Sequence, residues 1–167
     1  METIKLKDII MEDFCNYRKP SMFLITCFCD WKCCLEGGYD YQVCQNSGLK
    51  SMPNKDFSIS DIYNAYMSND ITSAVVIGGF EPMIQCDEVY SLIKYFRDNG
   101  CLDDFVIYTG YTEDEVRSSD RWSKVLDFDN LIIKFGRFID GCPGHRDDVL
   151  GIILSSPNQY GKEFNRK

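Results

Sequence analysis

Histidine is almost missing from this sequence: His145 is the single copy in 167 residues, and no Cys-x2-Cys pair occurs anywhere. Zinc knuckles and dithiol redox sites are usually built on that pair, so the spacing supports neither. No apolar run approaches the roughly 20 residues needed to cross a bilayer. The start, Met1 to Asp8, alternates charged and apolar residues and lacks the apolar centre of a secretion signal. A cytosolic location is therefore expected. Basic residues are outnumbered, 18 against 26 acidic, for a net charge of -8. That balance argues against a nucleic-acid backbone or an anionic membrane as partner. Gly-x-Ser-x-Gly and Gly-Lys-Ser/Thr are both absent, which removes the esterase elbow and the phosphate loop. With no internal repeat, low-complexity tract or linker, one domain over residues 1–167 is expected.

Cysteine, by contrast, is abundant. There are nine, and five of them (Cys27, Cys29, Cys33, Cys34, Cys44) crowd one short stretch. A reducing cytosol argues against disulfides. The scattered Cys15, Cys86, Cys101 and Cys142 are read as small hydrophobes. The clustered five follow directly on the apolar segment Met22 to Thr26, so a buried strand would deliver several thiols to one loop. Thiolates are soft ligands that select iron–sulfur clusters, zinc or Cu(I) over hard cations. A structural zinc on Cys27, Cys29, Cys33 and Cys34 stays open, without support from the spacing.

Strand-like and helix-like segments alternate along the chain, the pattern of an α/β domain. Strands are expected at Met22–Thr26, Ser73–Ile77, Phe105–Tyr108, Leu131–Phe135 and Leu150–Leu154. Ser58 or Ser60 can cap a helix presenting Ile62, Tyr63 and Tyr66. A second helix presents Val89, Leu92, Ile93 and Phe96 and ends at Asn99-Gly100. Thr112 and Glu115 form a capping box. Continuous apolar strands separated by helices predict a mostly parallel sheet covered on both faces, whose strand carboxyl ends hold the ligand site. The unusual residues cluster in the loops at those ends.

Cys29-x3-Cys33 followed by Cys44-Gln45-Asn46 resembles the cluster motif of the radical S-adenosylmethionine (SAM) enzymes, usually Cys-x3-Cys-x2-Cys. The similarity is greatest to the activating proteins of anaerobic ribonucleoside-triphosphate reductase, whose motif often ends in Cys-His-Asn or Cys-Tyr-Asn. Here ten residues, Cys34 to Val43, separate the last two ligands instead of two. Lengthening a flexible loop by that much costs about 1.4 kcal/mol, so a cluster survives it. Cys34 and Cys27 are rival third ligands. Cys44 is favoured because it alone carries the Gln-Asn tail, and the adjacent Cys33 and Cys34 can hardly reach two irons of one cube.

Four further segments follow in family order. Gly78-Gly79-Phe80-Glu81-Pro82 resembles Gly-Gly-Glu-Pro with Phe80 inserted; in the family this backbone receives the SAM amino group. Tyr108-Thr109-Gly110-Tyr111 resembles Trp-Thr-Gly-Tyr. Ile133 to Phe138 resembles Val-Asp-Gly-Lys/Arg-Phe, with Phe135 in place of Asp and with Arg137 free to pair with an acid or a partner. Ser155 to Gln159 resembles Ser-Ser-Asn-Gln with one insertion, and Asn158 would read adenine.

The resemblance implies a partial (β/α) barrel with a mostly parallel sheet, the radical SAM core. It implies a [4Fe-4S] cluster on Cys29, Cys33 and Cys44, with SAM at the iron left without a thiolate. Val43, Gln45, Gly78, Gly79, Glu81, Thr109 and Asn158 would bind SAM, and no catalytic acid or base is needed. Flavodoxin or ferredoxin would supply electrons. The substrate would be a large glycyl radical protein, anaerobic ribonucleotide reductase in the most similar family. Two alternatives stay open: a radical SAM enzyme acting on another peptide or protein, and a non-catalytic iron–sulfur or zinc module. Trp31 and Tyr39-Asp40-Tyr41 are expected to shield the metal, and His145 to lie at the surface.

Overall fold

In the computed structural model, which describes residues 2–167, a seven-stranded mixed sheet forms the centre of the α/β fold. Its strands are β1 (Thr3–Asp13), β2 (Ser21–Thr26), β3 (Lys55–Ser58), β4 (Ala74–Gly79), β5 (Asp104–Tyr108), β6 (Leu131–Phe135) and, near the end of the chain, Tyr160–Phe164. Two short strands, β7 (His145–Asp147) and β8 (Ile152–Leu154), make a separate antiparallel pair, so the final sheet strand is β9. The order is β3-β1-β2-β4-β5-β6-β9. β2, β4, β5 and β6 run parallel and adjacent. β1, β3 and β9 join antiparallel.

Period-two alternation in the parallel strands explains the two layers. Val75, Ile77, Phe105, Ile107, Leu131 and Ile133 point to one face and pack with helices α2 (Ile59–Met67) and α3 (Cys86–Asp98). The residues between them, Ala74, Val76, Val106 and Ile132, pack against Tyr17, Leu150 and Leu154. Both faces are thus covered, one by helices and the other by the β7–β8 segment.

One expected strand is corrected, and two strands were not expected at all. The amino-terminal segment is the long strand β1, paired on both sides. Leu150–Leu154 shrinks to β8 and lies outside the main sheet. The sheet edge beside β6 is filled by β9, which runs antiparallel and was not expected. The caps fall where the sequence puts them. Ser58 accepts from the Asp61 amide, and Gly100 is left-handed after α3. Thr112 and Glu115 close a reciprocal capping box on α4 (Glu113–Ser118). Thr112→Ala is expected to cost about 1 kcal/mol, measured by urea unfolding, because it strands one first-turn amide. Among the described residues, no helix is long and apolar enough to cross a membrane.

Candidate metal centre

The carboxyl ends of β2, β4, β5 and β6 open into one cavity of about 230 Å³. Cys29, Cys33, Cys34 and Cys44 line it, together with Gly79, Phe80, Glu81, Thr109, Gly110 and Lys134. Cys27 does not. Its amide donates to Gln85 Oε1 at 2.9 Å, and the charges around its thiol belong to Lys7, Lys5 and Glu88 rather than to other cysteines. β2 ends at Thr26, and the irregular backbone that follows leaves the Cys27 thiol among Lys5, Lys7 and Glu88, apart from Cys29. Cys34 does line the cavity beside Cys44, so of the rival third ligands only Cys27 is set apart.

The ten-residue spacer is folded. Helix α1 (Lys32–Gly37) is closed by left-handed Gly38, and Asp40 caps a 3-10 turn at Tyr41–Val43 by accepting from Gln42 N. The flexible-loop entropy cost therefore does not apply to it. Trp31, left-handed at φ 59°, starts α1 and stacks against Tyr41 at 5.1 Å and Phe80 at 5.3 Å. The inserted Phe80 is the wall that Trp31 meets edge-on.

Loops that are far apart in sequence are tied to one another here. Asn46 Nδ2 donates to the Gly79 carbonyl at 2.6 Å, and Gln45 Nε2 to Ser155 Oγ at 3.1 Å. Glu81 Oε1 accepts from Thr109 Oγ1 at 2.7 Å and Met83 N at 2.9 Å, while its Oε2 accepts from Gly110 N at 2.8 Å. Gly110 has a packing reason: a Cβ there would sit 3.0 Å from Cys33 Sγ. At Gly79, φ of 95° and a Cβ position 2.8 Å from Ile25 Cγ2 exclude any side chain.

Arg137 joins the cluster loop to the sheet edge. It reaches Glu36 on α1 at 2.9 Å, Glu115 on α4 at 2.7 Å and the Gly110 carbonyl. Lys32 also reaches Glu115, at 2.7 Å. Burial alone would raise the Glu115 pKa, but Arg137 and Lys32 hold it down at about 2. This stabilisation is present above the ordinary glutamate value and is lost as pH falls through about 2. Glu115→Gln, which keeps the capping acceptor, is expected to flatten the fall in thermal stability between pH 4 and pH 2.

Of the expected SAM-binding residues, Gln45, Gly79, Glu81 and Thr109 line the cavity. Val43, Gly78 and Asn158 lie outside its lining. The Asn158 amide donates to the Arg137 carbonyl at 2.9 Å. Buried Gln159 lines the cavity instead, its Oε1 accepting from Ser155 and Ser156 amides. His145 is half-buried on β7, 2.8 Å from the Gln159 carbonyl. Lys134 escaped sequence reasoning. The only signal was a cation inside the apolar run Leu131 to Phe135. It is buried, donates to the Gly136 and Thr109 carbonyls at 3.1 and 3.4 Å, and burial lowers its pKa to about 8.

Among the described residues no three His, Cys, Asp or Glu side chains converge on a single ion position. A cubane places its thiolates at separate corners, so the relevant test is whether soft donors share one enclosed space. Four thiols do. Burial pushes Cys29 up to about 12 and raises Cys33 and Cys34, so these thiols stay protonated until a metal displaces the proton. The family described as "4Fe-4S single cluster domain" matches residues 21–150, and the chain belongs to it. Neither a curated protein nor a solved structure matches the chain.

Proposed function

We propose that this iron–sulfur protein is a radical SAM enzyme that activates a glycyl radical protein, anaerobic ribonucleotide reductase being the first candidate. The observation that carries the reading is the convergence of the five motif segments on one cavity at the strand carboxyl ends. A sheet whose four parallel strands follow chain order, with helices on one face, is compatible with a partial barrel.

Cys29, Cys33 and Cys44 would hold the [4Fe-4S] cluster, leaving one iron without a thiolate. When bound, cluster and SAM would together supply one-electron radical chemistry directed at a glycine Cα of the partner. The chain's own residues orient and protect. Gly79 exposes bare backbone where a ligand's amino group can approach. Glu81 fixes Thr109 and Gly110 against that backbone. Trp31, Tyr41 and Phe80 exclude water and oxygen from the thiol side. Gln45, held by Ser155, closes the far wall. No acid–base pair is required, since the cofactors carry the chemistry. Flavodoxin or ferredoxin would be the electron donor.

Cys34 favours a second reading, a closed four-thiolate cluster without catalysis, because it shares the cavity. Anaerobically reconstituted protein separates the two. SAM is expected to change the electron paramagnetic resonance signal of the reduced cluster, and a partner reductase is then expected to acquire a glycyl radical signal. A cluster spectrum indifferent to SAM supports the four-thiolate module. SAM cleavage that never leaves a glycyl radical redirects the proposal to another peptide or protein substrate.

A further inference from the structure

Only two charged side chains line the cavity among the described residues, Glu81 and Lys134, and both are buried. Their situations differ. Glu81 has both oxygens engaged by three donors of the protein, and Lys134 acts on it through space without a direct hydrogen bond. Lys134 lies two residues before the turn at Gly136 and donates only to main-chain carbonyls. Dipoles of that kind do not account for placing an ammonium beside Cys33 in a cavity that four cysteines line. A buried cation without a bidentate acid partner is costly unless negative charge arrives in its surroundings. Cluster loading brings that charge: thiolates replace neutral thiols, and one-electron reduction adds one more negative charge.

We propose that Lys134 is an electrostatic tuning residue, whose buried ammonium raises the reduction potential of the cluster held by the cysteines around it. The step is a one-electron reduction of the cluster from its 2+ to its 1+ core by a low-potential donor. No bond forms or breaks, and the Lys134 proton stays where it is. Without the ammonium, the added electron faces Glu81 and the thiolates alone in a medium of low dielectric. The argument depends on the family's cluster and not on SAM, so it stands or falls separately from the activating role.

The test is a redox titration of anaerobically reconstituted protein with dithionite, following the paramagnetic signal of the reduced cluster without SAM. Lys134→Met keeps the length and apolar stem of the side chain and removes the charge. Its midpoint potential is expected to move negative of wild type, while Lys134→Arg stays close to wild type. Glu81→Gln, which deletes the opposing charge, is expected to move the midpoint in the positive direction. An unchanged or positive midpoint for Lys134→Met overturns the proposal. Should Lys134→Met fail to take up iron, Lys134→Gln, which keeps a donor for the Thr109 and Gly136 carbonyls, decides: a negative shift upholds the proposal, and no shift overturns it. If wild-type protein binds no cluster, the centre itself is rejected instead.

Discussion

Alanine at Cys29, Cys33 or Cys44 is expected to take anaerobically reconstituted protein from about four irons per chain toward none. Cys27→Ala is expected to leave iron and sulfide unchanged, because the Cys27 thiol sits near Lys5, Lys7 and Glu88 and lies outside the cavity. Cys34→Ala is the discriminating member of the series. A three-thiolate cluster with an open corner tolerates it, whereas a four-thiolate cluster loses stability. The reason for backing Cys44 is partly local. Its successors Gln45 and Asn46 clasp Ser155 and Gly79, so the Cys44 backbone is held from both sides of the cavity. Cys34, by contrast, is a buried member of α1 adjacent to Cys33, and two consecutive helical residues diverge by about 100° around the axis. Retained iron in Cys44→Ala, with loss in Cys34→Ala, would transfer the third ligand to Cys34.

The second large effect is on stability. Glu81→Ala is expected to cost about 4 kcal/mol in denaturant unfolding, with a fall in Tm of about 10 °C. One truncation strands the Thr109 hydroxyl and the Met83 and Gly110 amides, all turned inward. It also leaves Lys134 as the one charge in a buried space. Burial raises the Glu81 pKa, and those three donors offset the rise only in part. Glu81→Gln keeps one acceptor oxygen and is expected to lose less. A loss of under about 1 kcal/mol for Glu81→Ala would mean the β4 and β5 loops are held by something else.

The parallel core was legible because each strand is a short, unbroken apolar run. Leu131–Phe135 matches β6 residue for residue, and the α3 and α4 ends were marked by Asn99-Gly100 and Thr112-x2-Glu115. β1 was hidden by its own irregularity. Register shifts between Leu6 and Asp8 and between Ile10 and Asp13 break the alternation by which a half-buried strand is recognised. β9 was hidden for a different reason: Tyr160-Gly161-Lys162-Glu163-Phe164 carries the charges and glycine of an edge strand, which single-sequence patterns assign to loops. At the site, the cysteines, glycines, Glu81 and Thr109 were readable as motifs. Lys134 was not, because a lone cation in a strand is usually a solvated residue, and only the fold reveals that both of its faces are covered. The separation of Cys27 from its fellow cysteines was equally out of reach, since the chain leaves strand geometry after Thr26 and no periodicity then says where each thiol points.

The segment between Cys34 and Cys44 has one more implication. α1, its glycine stop and the following turn form a folded span of their own, and Arg137 pins its Glu36 from the sheet side. A deletion that shortened this stretch to the customary two residues would dismantle that span instead of tightening it.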